Sequence, residues 1–382
     1  MPPLSTAPAW HILTGEYPPR LGGVGDHTRQ VSRALARAGQ EVHVWTPGER
    51  DVREEDGVTV HHVPGLLTPA GLPALSRGLD ACPGPRRLLL QYVPHALGLK
   101  AMNVPFCAWF ATRRRDARWV YIHEAVHPWS PRAPLRHHLL AGTTRLMVRL
   151  VASAADRVFL SIPRWAEHLP ASVRPRTRWL PVPSNLPVEV DPDAVAALRT
   201  RLGTGPRLGH FGTYGHLTAA PLEAALVPLL QGDASRHALL LGRGSRAFLA
   251  GLEARHPALR GRLEARDSLP LEDLAVHLAT CDVLLQPYPD GVSTRRTTVM
   301  AGLALGVPVA TNSGHLTEPL WRELDAVSLA EGTAPAALAE RVESLLSLAG
   351  TRRELGQRAA RVYRERFSLE HTVEALLHPG PA

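Results

Sequence analysis

The sequence predicts an α/β protein made of two doubly wound domains. Apolar runs of strand length alternate with amphipathic helical stretches along the whole chain, and that alternation restarts after one proline-rich joint. A length of 382 residues allows each half a full core of its own.

In the first series the strands are expected at Trp10–Thr14, Glu41–Thr46, Val58–Val63, Arg87–Val93, Trp119–His123 and Arg157–Ser161. Runs this short, rich in Val, Leu, Ile and aromatic residues, fit parallel strands buried on both faces. The stretch Gly25–Ala38 reads as a helix, because Val31, Ala34, Leu35 and Ala38 share one face and Gly39 ends it. The joint is "LPVPSNLPVEVDP", near residue 185. The second series has strands at Leu208–Gly212, Ala238–Leu241, Asp282–Gln286 and Pro308–Thr311. Two helices, Arg352–Arg366 and Leu369–Leu377, close the chain. The expected organisation is therefore a domain over 1–184, a second over 185–350 and closing helices over 351–382, with a cleft between the domains. Internal repeats and low-complexity tails are missing from the sequence.

Composition narrows the class. Apolar residues make up 45% and charged residues 20%, as in soluble globular proteins. No apolar run reaches the roughly 18 residues that a membrane span needs. The opening "MPPLSTAPAWHIL" has no basic segment followed by an apolar core, so no secretory signal is expected. Cys82, Cys107 and Cys281 have no metal-ligand spacing and fit a reduced, cytoplasmic protein. The net charge is +8, and residues 111–180 carry thirteen arginines against four acids, enough to account for all of it. Lys100 is the single lysine, so an anion site elsewhere must use arginine, histidine or backbone amides. No aromatic platform or recognisable module points to nucleic acid.

The loop "GEYPPRLGGVGDHTRQV" follows the first strand and admits three readings. A dinucleotide fingerprint fits badly: seven residues separate Thr14 from Gly22, Thr28 stands where the third glycine belongs, and the second strand ends in Trp45-Thr46 without an acid. The glycines could serve only the turn. Or they let a ligand approach the backbone and the dipole of the following helix.

The second half favours that last reading. "LPLEDLAVHLATCDVLLQPYPDGVSTRRTTVMAGLALGVPVATNSGHLTE" resembles the donor-binding half of family-4 nucleotide-sugar glycosyltransferases, and "EYPPRLGGVGDHTRQVSRALARAGQEVHVWTP" resembles their opening. "WVYIHE", "LLLGRGS" and "RERFSLE" extend the resemblance over nearly the whole chain, in the family's order. It implies the GT-B architecture, two Rossmann-like domains around a cleft. It also implies retaining transfer of a sugar from a nucleotide diphosphate to a glycan or lipid-linked acceptor, with no metal and no cofactor.

The resemblance carries site residues with it. His123, at a strand end, corresponds to a histidine near the donor sugar. Asp26 and His27, one turn into the first helix, read as acceptor contacts, with helix capping as the other role open to Asp26. Gly22 and Gly23 would admit the donor. Gly291, Val292 and Ser293 would offer amides at a helix starting near Thr294, with Arg295 and Arg296 in its first turn. The family's Glu-x7-Glu pair falls on Asp290 and Thr298, and a threonine offers the nucleotide ribose a single hydroxyl. The family's Arg and Lys after the first strand of the donor domain are replaced in "HFGTYGHL", which has Gly212, Thr213, Tyr214 and His216. Arg295 or Arg296, with Arg243 of "GRGS", then takes the diphosphate. The loss of the second glutamate leaves an alternative, a GT-B protein that binds a nucleotide sugar or a partner without turnover. "DPD" at Asp191–Asp193 has the letters of a metal motif but stands before "AVAALRTRL" and reads as a helix cap.

A helix over 135–152 is expected to pack Leu135, Leu139, Leu146 and Leu150, with Leu140, Met147 and Val151, on the sheet. His138, Arg145 and Arg149 would then face outward, either solvated or against an anionic membrane at the inner leaflet.

Overall fold

The computed structural model describes residues 8–20, 22–203 and 205–380. The chain divides into two compact units, one running to Pro181 and resuming at Leu369, the other spanning Val182–Ser368.

The first unit holds β1 (Ala9–Leu13), α1 (Gly23–Arg37), β2 (Val42–Pro47), β3 (Asp51–Glu55), β4 (Val58–Val63), α2 (Leu72–Ala81), β5 (Arg86–Tyr92), α3 (Val104–Thr112), β6 (Ala117–Ile122), α4 (Leu135–Ala154), β7 (Arg157–Leu160) and β8 (Thr177–Trp179). The sheet order is β3-β4-β2-β1-β5-β6-β7-β8. All neighbours are parallel except β3 with β4. The chain leaves β1 toward β2 on one side and returns to β5 on the other, so the topological switch lies between β1 and β5. Trp10, Ile12, Val44, Leu89 and Trp119 form the core under α1 through Val31 and Leu35.

The sequence reading misses β3, whose "DVREE" is polar and mostly exposed. A hairpin signal was present all the same: Asp56-Gly57, at φ 53 and +79, is the two-residue turn that favours left-handed backbone.

Helix α4 corrects an expectation. Its buried residues are Ala141, Thr144, Met147, Val148, Val151 and Ala152. Leu135, Leu139 and Leu146 are instead 83, 63 and 49% exposed. The two stripes lie on opposite sides of the helical wheel, and the small one wins because Ala141 and Thr144 allow close approach. Thr144 Oγ1 also accepts the His127 amide at 3.0 Å.

The second unit holds α5 (Pro192–Arg201), β9 (Arg207–Phe211), α6 (His216–Gly232), β10 (His237–Leu241), α7 (Ser245–Arg255), β11 (Leu263–Arg266), α8 (Leu271–Ala279), β12 (Val283–Gln286), α9 (Thr297–Ala304), β13 (Val309–Asn312), α10 (Leu320–Leu324), β14 (Ser328–Ala330), α11 (Pro335–Ser347) and α12 (Ala349–Arg366). Its sheet, β11-β10-β9-β12-β13-β14, is parallel throughout, with the switch between β9 and β12. Leu208, Leu240, Leu285 and Ala310 from the sheet meet Leu226, Leu230, Leu338 and Val342 from α6 and α11. Asp191 caps α5 by accepting the Asp193 amide at 2.9 Å, which gives "DPD" its structural role.

The last helix, α13 (Leu369–Leu377), returns to the first unit and buries Ala375 and Leu376 in its core. The stretch read as one closing segment, 351–382, is thus shared: α12 stays with the second unit and α13 leaves it.

Candidate functional site

Ligands of open parallel sheets sit beyond the carboxyl ends of the strands, at the switch point. In the first unit that place is formed by the loop after β1 and by the ends of β5 and β6. Gly22 is the N-cap of α1, and a Cβ there would stand 2.1 Å from Glu16 Oε2. The loop thus folds its own carboxylate beside the start of the helix. Gly23, the first helical residue, is exposed, and a Cβ on it would meet nothing within 4 Å. Asp26 lies half-buried in the first turn, and its amide bonds the Gly22 carbonyl at 3.0 Å. Gly22 therefore holds the capping position, not Asp26.

His123 follows β6 and is 5% exposed. Its Nε2 lies 2.6 Å from Gln91 Oε1 at the end of β5, which fixes Nε2 as the protonated nitrogen. The ring stacks on Tyr121 at 4.4 Å and meets His27 edge-on at 4.9 Å. Burial, with the nearby His27, holds its pKa well below the usual histidine range, so the imidazole is neutral. Its carbonyl accepts Ser161 Oγ at 2.9 Å and Trp165 Nε1 at 3.1 Å. His27 is 1% exposed, and neither ring nitrogen makes a hydrogen bond of normal geometry among the described residues. Burial lowers its pKa to about 4, with Gln91 opposing the shift.

In the second unit the switch is lined by the loops after β9, β10 and β12. Gly212 donates its amide to Leu241 O at 3.0 Å, and Thr213 is exposed. Tyr214 turns its hydroxyl back to the His210 carbonyl at 3.2 Å, and its amide bonds Arg243 O. Arg243 itself is exposed at the end of β10. His210 is 3% exposed and donates from Nδ1 to Leu285 O at 2.8 Å. Burial puts its pKa at about 4, with that hydrogen bond opposing.

The loop after β12 differs from expectation. Helix α9 begins at Thr297, and Arg296 is its N-cap, so neither arginine lies in the first helical turn. The amides of Gly291 and Val292 are not free either: they bond Tyr288 O at 3.2 Å and Asn312 O at 2.9 Å. Glu318 causes the delay. Its Oε1 accepts the Thr294 amide at 3.0 Å and hydroxyl at 2.5 Å, drawing that residue out of the helix. Oε2 accepts Trp321 Nε1 at 2.8 Å, and burial raises the pKa of this 6%-exposed carboxyl. Ser293 is fully buried beside this clamp.

Asp290 binds both arginines at once, one carboxylate oxygen to Arg295 Nη2 and the other to Arg296 Nη2. Burial raises the Asp290 pKa, but the Arg296 and Arg295 charges outweigh it and hold the carboxyl below its usual range. The Arg296 guanidinium lies 4.6 Å from the Tyr288 ring centre. The Tyr288 hydroxyl in turn meets Thr298 Oγ1 at 2.6 Å. One acid and two bases leave the cluster with a charge of +1.

Residues 22–185 match the family described as glycosyl transferase 4-like domain. The first part of the chain is thus a glycosyl transferase 4-like domain, and the chain as a whole has the GT-B fold. No curated protein matches its sequence. Among solved structures, sucrose-phosphate synthase from Thermosynechococcus elongatus is similar at 18% identity and a TM-score of 0.73, covering 98% of each chain. HepE of Anabaena, solved with UDP and glucose, is similar at 14% and 0.69 over 98% of this chain and 99% of its own. The structure of trehalose-6-phosphate from E. coli bound with UDP-2-fluoro glucose is similar at 10% and 0.66 over 97% and 98%.

In this chain the sequence-predicted residues form two groups. Gly22, Gly23, Asp26 and His123 gather in the first unit, while Asp290, Arg295, Arg296 and Thr298 gather in the second. Gly212, Thr213 and Arg243 sit on the neighbouring loops of that second sheet. Glu16, Gln91, Tyr288 and Glu318 were missed. Gln91 left a trace, as a lone polar residue inside "LLLQYV". Glu318 left none, because its partner Thr294 lies 24 residues away. Among the described residues no helix is long and apolar enough to cross a membrane.

Proposed function

We propose that this glycosyltransferase moves a sugar, with retention, from a nucleoside diphosphate donor to a glycan or lipid-linked acceptor. The Arg295–Arg296 pair beyond β12 carries the reading. Two guanidiniums at a strand end supply what a departing diphosphate needs as its charge grows. Solved relatives of the same fold hold UDP or a UDP-sugar analogue. Gly22 and Gly23 border the donor at the start of α1. Thr213 and Arg243 border the donor beside Gly212, the Gly291–Ser293 loop supports it, and Asp26 meets the acceptor.

Calorimetry with uridine, UDP and UDP-glucose tests the reading. Arg295→Ala or Arg296→Ala is expected to weaken UDP binding by about 1.5–3 kcal/mol, the usual worth of a hydrogen bond to a charged group. Uridine, which has no phosphate, should bind parent and variants alike. Unchanged UDP affinity in both variants would move the diphosphate to Arg243.

Binding without turnover is the second reading, favoured by one observation: Thr298, in place of the family's second glutamate, already spends its hydroxyl on Tyr288. Release of glucose from UDP-glucose, or its transfer, decides for the enzyme. Tight UDP-glucose binding with neither decides against it.

The outward face of α4 supports a membrane-presented acceptor. Leu135, Leu139 and Leu146 stand clear of the core, and Arg114, Arg118 and Arg149 border a groove beside them. Apolar side chains flanked by arginine suit an anionic bilayer surface, where each cation contributes about 1 kcal/mol. Sedimentation with phosphatidylglycerol vesicles but not with phosphatidylcholine vesicles is expected. Leu139→Glu with Leu146→Glu should abolish it, and equal binding to both vesicle types would contradict the reading.

A further inference from the structure

The donor loop contains an acid exactly where its cations are needed, and the backbone around that acid cannot withdraw it. Gly291, at φ +87, packs so closely on the next loop that a Cβ would fall 2.2 Å from the Gly314 amide nitrogen. A Cβ on Gly314 would reciprocally fall 2.5 Å from the Asp290 carbonyl. The Asp290 carbonyl also accepts the Leu316 amide at 3.0 Å. The main chain of Asp290 is therefore clamped, and its carboxylate can leave only by rotation of the side chain.

The arginines are held separately. Arg296 rests on the Tyr288 ring, and Tyr288 is anchored through Asn312, whose Oδ1 accepts its amide at 2.7 Å and whose Nδ2 donates to its carbonyl at 2.8 Å. Rotation of Asp290 would leave that guanidinium in place, with Arg295 still next to it in sequence. Both are mostly buried, with side chains 13 and 24% exposed for Arg295 and Arg296. Two adjacent buried cations need an anion between them.

Resting on the donor reading above, we propose that Asp290 is an internal stand-in for the donor's diphosphate. In the empty enzyme its carboxylate bridges the two guanidiniums. On binding, phosphate oxygens replace it and Asp290 swings aside. The exchange sets the specificity of the subsite. A carboxylate or a single phosphate monoanion brings no more charge than Asp290 and gains little by displacing it. A diphosphate brings two anionic groups to two cations, so it is selected. Asp290 also lowers diphosphate affinity, which allows the UDP product to leave.

The experiment titrates inorganic pyrophosphate and UDP into the parent and Asp290→Asn proteins. The variant keeps the side-chain shape but cannot neutralise the arginines, and is expected to bind both ligands about tenfold tighter, with uridine unchanged. Equal or weaker binding by folded Asp290→Asn overturns the proposal. Because that variant raises the charge of the cluster to +2, a second pair holds it lower: Arg295→Gln brings it to 0, and adding Asp290→Asn returns it to the parent's +1. Arg295→Gln alone should bind pyrophosphate more weakly than the parent, and adding Asp290→Asn should restore the affinity. A further loss in the double variant overturns the proposal as well. If the parent binds neither UDP nor pyrophosphate, the donor reading fails together with the proposal. If it binds both and Asp290→Asn does not tighten them, the proposal alone fails.

Discussion

Moving the protein from pH 7 to pH 5 is expected to cost at least about 6 kcal/mol of folding stability, most of it in the first unit. Three buried histidines set this figure. His11 is fully buried, and its pKa falls to about 3 through burial and then the His43 charge. His27 and His210, 1 and 3% exposed, both titrate at about 4. In the unfolded chain each returns to 6.5. Their contribution is therefore complete above pH 6.5 and is lost as the pH falls toward 4, because only the unfolded chain takes up the protons. Each costs about 2 kcal/mol by pH 5, against a total stability of about 5–15 kcal/mol for a domain. His11 and His27 belong to the first unit and His210 to the second. His123, held well below the usual range, and half-buried His61, lowered to about 4 by burial and then the His43 charge, add to the first. In the second, the raised pKa of Glu318 works in the opposite direction, favouring the folded form as pH falls. Urea unfolding followed by circular dichroism at pH 7 and pH 5 measures the loss. His11→Gln should reduce the pH dependence by about 2 kcal/mol. A midpoint that does not move between the two pH values would refute the account.

His123→Ala is expected to lower turnover by a factor of about 100 or more with donor affinity much less affected, as for a group acting near the transition state. The neutral ring can supply a hydrogen-bonding nitrogen and no proton at pH 7, since Nε2–H is committed to Gln91 and burial keeps the second proton off. On the donor reading proposed above, its expected role is to steady the donor sugar or its developing charge. Truncation also removes the stack on Tyr121, so the melting temperature must be recorded beside kcat and KM. Gln91→Leu supplies the comparison, freeing the ring without deleting it. An activity loss that merely follows the loss of folded protein, or that lies wholly in KM, would make His123 a packing or binding residue.

Periodicity alone determined the paired α/β architecture, because a parallel strand buried on both faces must be apolar along its length. The runs at "WHIL", "VHVWT" and "VLLQ" could hardly be anything else. The edge strands were less legible: "DVREE" faces water, and a strand that buries little has no reason to be apolar. The motif order pointed to the class of chemistry and put Asp290 and the two arginines on one loop.

Only the tertiary structure decided what those groups do to one another. That Asp290 holds Arg295 and Arg296 depends on a loop pressed against Gly314. That α9 starts at Thr297 depends on Glu318, and that α4 turns its leucines outward depends on Ala141 and Thr144 fitting where leucine would not. Each is a contact between residues brought together by folding, and its energy lies in packing and charge that spacing along the chain does not encode. Helical and strand periods record which face is buried; they hold no record of which distant carboxylate will reach a given amide or guanidinium.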